Sequence, residues 1–102
     1  MPFDVYHAVT GGILLYSLED DQYNFLFDIF EEYYHQTGQY IDQYGDVTLD
    51  SSELKKLLSI IEKTLQKTES EGDIQQKNVM IEFKNFLDYY ASQDISLRFL
   101  GD

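Results

Sequence analysis

Apolar residues recur at helical spacing in the second half of the chain. Leu54, Leu57, Leu58, Ile61 and Leu65 fall on one stripe, while Lys55, Lys56, Ser59, Glu62 and Lys63 face away. Asp50-Ser51-Ser52-Glu53 precedes this stripe and has the form of a capping box, so a helix is predicted over about 50–68. Glu69-Ser70-Glu71-Gly72 reads as a turn. Asp73 with Gln76 repeats the cap, and Val79, Phe83, Phe86 and Tyr90 share the next face, predicting a helix over about 73–92 that forms core.

The segment from Leu18 to Thr37 is predicted as the first helix, with Gly38 as its stop and Glu19-Asp20-Asp21 at the positive end of its dipole. At about 100° per residue, Tyr23, Phe25, Leu26, Phe27, Ile29, Phe30, Tyr33 and Tyr34 cover an arc of about 200°. A helix resting on a core usually shows a stripe of roughly 100° or slightly more. This helix is therefore expected either to sit centrally in a bundle or to offer part of its aromatic surface elsewhere, which permits a homodimer.

The ends of the chain are less clear, since Val5, Val9 and Leu15 do not settle a period. Phe3–Thr10 and Ile13–Leu18 flank Gly11-Gly12 and read as a β-hairpin, with a broken helix as the competing reading. Ile95, Leu97 and Phe99 alternate with Ser96 and Arg98, as in a strand. The expected fold is one domain spanning residues 1–102. It is mainly α, a small helical bundle of three principal helices (18–37, 50–68 and 73–92), with a short N-terminal hairpin and a C-terminal strand; α+β is the alternative.

Charge changes the picture more than length does. The first 54 residues hold eleven carboxylates and no lysine or arginine, so the net charge of −12 divides into −11 and −1. Seven of the nine tyrosines lie in that same half. A region both anionic and aromatic fits a basic partner. The hydrophobic fraction of 43% argues against disorder. The chain has no cysteine, no charged-then-apolar leader, and no apolar run near the ~20 residues needed to span a bilayer, so a cytoplasmic protein is expected.

Catalytic chemistry has no signature here. His7 and His35 are the only histidines; His35 reads as the partner of Glu31 on a solvated helix face. Thr10-Gly11-Gly12 is a turn signal, not a phosphate loop. Asp42 and Glu53 stand eleven apart, as do the ends of an EF-hand loop, but Tyr44 and Val47 occupy positions that loop cannot accept, so no metal or cofactor is expected. Direct nucleic-acid binding is disfavoured, because phosphate neutralisation needs clustered lysine and arginine.

The candidate site is instead the stretch from the polar face of the first helix through the following loop. It comprises Asp28, Glu31, Glu32, Tyr34, Tyr40, Asp42, Tyr44 and Asp46. Tyrosine supplies rigid contact area with a polar end, and neighbouring carboxylates pair with cations and steer encounter. The plainer reading is that the tyrosines lid the core and the acids form a solvated edge.

Tyr33-Tyr34 with its neighbouring acids, in a small acidic chain without cysteine, resembles the immunity proteins that neutralise bacterial nuclease toxins, such as the helical inhibitors of colicin DNases and the partners of contact-dependent inhibition toxins. The resemblance implies a non-catalytic protein that occludes a basic toxin's active or substrate-binding site. The alternative is a nucleic-acid mimic that inhibits a host defence or DNA-binding protein. Carboxylates interleaved with tyrosine favour the specific inhibitor.

Overall fold

The structure of the protein is a computed structural model that describes residues 3–10, 12–67 and 74–101. It contains strands β1 (Phe3–His7) and β2 (Leu14–Leu18), helices α1 (Asp20–Phe25) and α2 (Phe27–Thr37), strand β3 (Asp46–Leu49), helices α3 (Ser51–Lys67) and α4 (Ile74–Ser92), and strand β4 (Leu97–Leu100). The fold is α+β rather than a mainly helical bundle. Four strands form one antiparallel sheet in the order β2-β1-β4-β3, and the helices cover one of its faces.

The sheet was underestimated because its strands are short and one lay hidden among acids. The N-terminal segments are strands rather than a broken helix, the C-terminal alternation is a strand as well, and the two ends pair with each other: Val5 lies opposite Phe99 and His7 opposite Leu97. Residues 46–49, expected as loop, extend the sheet because β4 offers them a second edge, with Val47 opposite Phe99 and Leu49 opposite Leu97. Phe3, Val5, Leu49, Leu97 and Phe99 are buried on the helix-covered face. Asp4, Tyr6, Asp46, Thr48 and Arg98 alternate onto the open one. The register shifts between Val5 and Tyr6, where β2 carries an extra residue, Leu15, as a β-bulge.

The predicted helix over 18–37 is two helices preceded by a strand. Leu18 ends β2, Glu19 caps α1 through a reciprocal pair with Gln22, and the chain turns at Leu26, whose φ and ψ are −101° and 0°. The break accounts for the broad aromatic arc. α1 buries Tyr23, while α2, with a separate axis, buries Ile29, Phe30 and Tyr33. Each helix thus has an ordinary apolar stripe, and both stripes face the same core. Phe27 and Tyr34, the two residues of the arc that remain exposed, lie on the outer flank of α2.

α3 follows its sequence signals closely. Asp50 Oδ1 accepts from Glu53 N at 2.8 Å, and Asp50 N donates to Glu53 Oε1 at 2.9 Å, completing the capping box. Leu54, Leu57, Leu58, Ile60 and Ile61 are buried. α4 buries Val79, Met80, Phe83, Leu87 and Ala91, and leaves Phe86 and Tyr90 only partly covered. The turn predicted at 69–72, the cap at Asp73 and the glycine at position 11 lie outside the described residues. After α4, Asp94 takes a φ of 59° and accepts a hydrogen bond from the Ser51 hydroxyl, tying that turn to the start of α3.

Phe3 sits where all the layers meet. Its ring stacks on Phe99 with centroids 6.0 Å apart, stands edge-on to Tyr23 at 5.3 Å and lies 6.3 Å from Phe30. Phe3→Ala is expected to cost about 3–5 kcal/mol, the usual range for emptying a fully buried aromatic site. Urea unfolding followed by circular dichroism measures it, and a loss below about 1 kcal/mol contradicts this placement.

Candidate functional site

The loop from Gly38 to Gly45 carries the site and is fastened along its length. Gly38 closes α2 with φ of 77°, a left-handed conformation that glycine adopts without penalty, and its N–H donates to Tyr34 O at 2.7 Å. The Tyr33 hydroxyl donates to Gln39 Oε1 at 2.9 Å. Ile41 is buried, and the Tyr23 hydroxyl donates to its carbonyl at 2.7 Å. Asp42 Oδ1 accepts from Tyr44 N at 3.0 Å and the Asp42 carbonyl from Gly45 N at 3.1 Å, shaping a tight turn. Gln43 Nε2 donates to Asp20 Oδ1 at 2.8 Å, and Gly101 N donates to the Gly45 carbonyl at 2.6 Å.

Fastened in this way, the loop turns its intervening tyrosines outward. Tyr34, in the last turn of α2, and Tyr40 and Tyr44 of the loop are 45%, 40% and 70% exposed, whereas Tyr23 and Tyr33 are buried. Tyr34 and Tyr40 meet edge-to-face, centroids 5.5 Å apart. The tyrosines thus divide into a buried and an exposed set. Tyr23 and Tyr33 lid the core, while the touching pair Tyr34–Tyr40, with Tyr44 exposed further along the loop, makes up an exposed platform.

The predicted carboxylates separate into groups. Glu31 shares the outer flank of α2 with Tyr34 and the partly exposed Phe27, at positions one turn apart. Asp42 is half-buried within the loop and keeps its turn. Asp28 and Glu32 project to the opposite flank, where with Gln36 they line a groove of about 410 Å³ against Lys63, Thr64 and Lys67 of α3. They share that groove with the α3 lysines and lie on a different flank of α2 from Tyr34. Asp46 is engaged on the open sheet face, accepting from Arg98 Nη2 at 2.7 Å and Nε at 3.1 Å. That hydrogen-bonded guanidinium holds the Asp46 carboxyl below its ordinary range. The Asp42–Glu53 acids thus serve a turn, an ion pair and a helix cap on successive elements. His35 makes no ion pair with Glu31; its ring lies beside that of Tyr34, centroids 6.1 Å apart.

Burial sets the electrostatics beneath the platform. It raises the Tyr23 hydroxyl well above its ordinary pKa, with the charge of Asp42 adding to the effect. It pushes Tyr33 up to about 12, helped by Glu53. Gln39, Ile41 and Gly101 are the supporting residues that sequence reasoning missed. Ile41 had a signal, being the one aliphatic residue between Phe30 and Val47. Gly101 had none, because its role is a close approach: a Cβ there would overlap the Gln43 carbonyl and lie 2.8 Å from Tyr44 N.

Among the described residues no helix is long and apolar enough to cross a membrane. Comparison of the chain with protein-family models, curated protein sequences and solved structures returns no match.

Two measurements test this arrangement. Gly101→Ala is expected to destabilise the protein by about 1–3 kcal/mol through overpacking and to shift the amide resonances of residues 43–45; an unchanged loop spectrum contradicts the close approach. Because the folded-state pKa of Tyr33 exceeds its ordinary value of 10, its stabilising contribution is fully present below pH 10 and is lost as pH rises towards about 12. Urea midpoints of the wild type should therefore fall between pH 10 and 12, and fall less steeply in Tyr33→Phe. Equal slopes contradict a buried phenol at this position.

Proposed function

We propose that this chain is a non-catalytic inhibitor of a basic protein, in the manner of the immunity proteins that neutralise bacterial nuclease toxins. The observation that carries the reading is the fastened platform of Tyr34, Tyr40 and Tyr44, flanked by Glu31 and Asp42, in a half-chain without a single lysine or arginine. A pre-ordered loop loses little conformational freedom on binding, so its aromatic contact area converts more fully into affinity. Tyrosine suits the desolvated centre of an interface, and carboxylates around it speed association with a cationic partner. The mechanism is occlusion: the platform covers basic residues that the partner uses to hold nucleic acid. The set supported here is narrower than the sequence alone indicated, since Asp28 and Glu32 face α3 lysines and Asp46 is paired with Arg98.

The test is capture of basic proteins from the native lysate, with the product of the adjacent gene purified and assayed first. A basic partner is expected, whose nuclease activity the wild-type chain blocks and whose association slows by roughly tenfold or more at high salt. The double variant Glu31→Lys/Tyr40→Ala should bind at least about 100-fold more weakly while unfolding at the same urea concentration, since two hot-spot positions together contribute at least about 3 kcal/mol. Unchanged affinity in that variant rules out the platform.

A further inference from the structure

A second surface lies along strand β2 and the flank of α4 behind it. β2 is an edge strand with the sequence Leu-Leu-Tyr-Ser-Leu, and no strand pairs with its outer side among the described residues. Natural edge strands are usually blunted by charge, proline or bulges that turn them away. The opposite edge, β3, begins with Asp46 and is followed by the helix cap Asp50. β2 has no charge and no proline, and its one bulge lies against β1. At its start, Ile13 and Leu14 are 72% and 50% exposed.

A continuous row of rings runs behind this edge. Tyr16 of β2 stacks on Phe86 with centroids 4.5 Å apart; Phe86 meets Tyr90 at 5.1 Å, and Tyr90 meets Tyr89 edge-to-face at 4.9 Å. Phe86 and Tyr90 are half-buried, and Tyr89 is 58% exposed. Glu82 lies one turn before Phe86 on the same flank, and its charge reaches the Tyr16 hydroxyl. The α4 lysines turn the other way: Lys84 reaches Glu62 of α3 at 4.0 Å, and Lys77 lines a cleft with Leu65 of α3. The row therefore offers ring faces and a carboxylate, and no α4 lysine offsets them. Aromatic faces beside a carboxylate attract lysine and arginine side chains.

We propose that β2 accepts an extended segment of a basic partner as a fifth strand, laying alternate lysine or arginine side chains over the Tyr16–Phe86–Tyr89–Tyr90 row beside Glu82. Strand addition draws affinity from main-chain hydrogen bonds and specificity from every second side chain, and this edge offers both. A second copy of the chain fits it less well, because each copy carries a net charge of −12 and its own β2 brings no cation to the rings. This surface is separate from the tyrosine loop, so the inference stands or falls independently of the proposed function.

The test uses a capped octapeptide of alternating lysine and valine, titrated into the isotope-labelled protein at moderate salt. Amide shifts confined to residues 14–18 and 82–90, with slowed hydrogen exchange in β2, are the expected result. A peptide of the same composition with its lysines in one block, and one with proline at two central positions, should each bind at least tenfold more weakly. Glu82→Lys and Tyr89→Ser, both at exposed positions, should each weaken binding about fivefold without altering the urea midpoint. Equal binding of the proline peptide, shifts located on residues 38–45 instead, or a dimer in sedimentation whose seam is β2 would each overturn the proposal.

Discussion

The antiparallel pairing of β1 with β4 is the contact on which the other elements depend. It joins residues 4–7 to 97–100, nearly the full length of the chain, and places both strands at the centre of the sheet. β2 then adds to the free side of β1 and β3 to the free side of β4. The helices rest on the face this pairing creates, with Phe3 and Phe99 stacked at its middle. Contacts of such long sequence separation repay their loop-closure entropy only late in folding, so the sheet and the helical layer are expected to form together. The loop platform inherits this dependence, since Gly101, just beyond β4, holds the Gly45 carbonyl.

Local signals were legible where one element settles its own conformation. The Asp50–Glu53 box, the Gly38 stop and the Leu54–Leu65 stripe each concern residues within a turn or two of one another. The N-terminal hairpin was readable from the Gly11-Gly12 step between two short segments, with a broken helix as the alternative, and the C-terminal strand from its period of two. Their partnership was not, because nothing in residues 3–7 names residues 97–100. The same limit concealed β3: Asp46–Leu49 is too short to show a period, and only the presence of β4 makes it a strand. The breadth of the aromatic arc has two causes: the helix breaks at Leu26, so that Tyr23 and the Ile29–Phe30–Tyr33 stripe reach the core from separate helices, and Phe27 and Tyr34 stay exposed.

The acidity of the first half is likewise several features with separate causes. Glu19 and Asp50 cap helices, Asp4 accepts from Ser17, Asp20 accepts from Gln43, Asp42 shapes a turn and Asp46 engages the one arginine. Asp28 and Glu32 line a groove shared with Lys63 and Lys67. Among the predicted site residues this leaves Glu31 and the three outward tyrosines as the part that folding alone does not account for. Along the β2 edge of the sheet, Phe86 and Tyr90 show that aromatic residues assigned to a core stripe can be only partly covered.

The central claim is that the Gly38–Gly45 loop is held rigid by the core and displays its tyrosines without a partner present. Backbone ¹⁵N relaxation of the free protein tests it directly. Order parameters near about 0.85 through residues 38–45, matching those of α2 and α3, are predicted. Values below about 0.6 across Tyr40–Tyr44 would contradict a preformed platform.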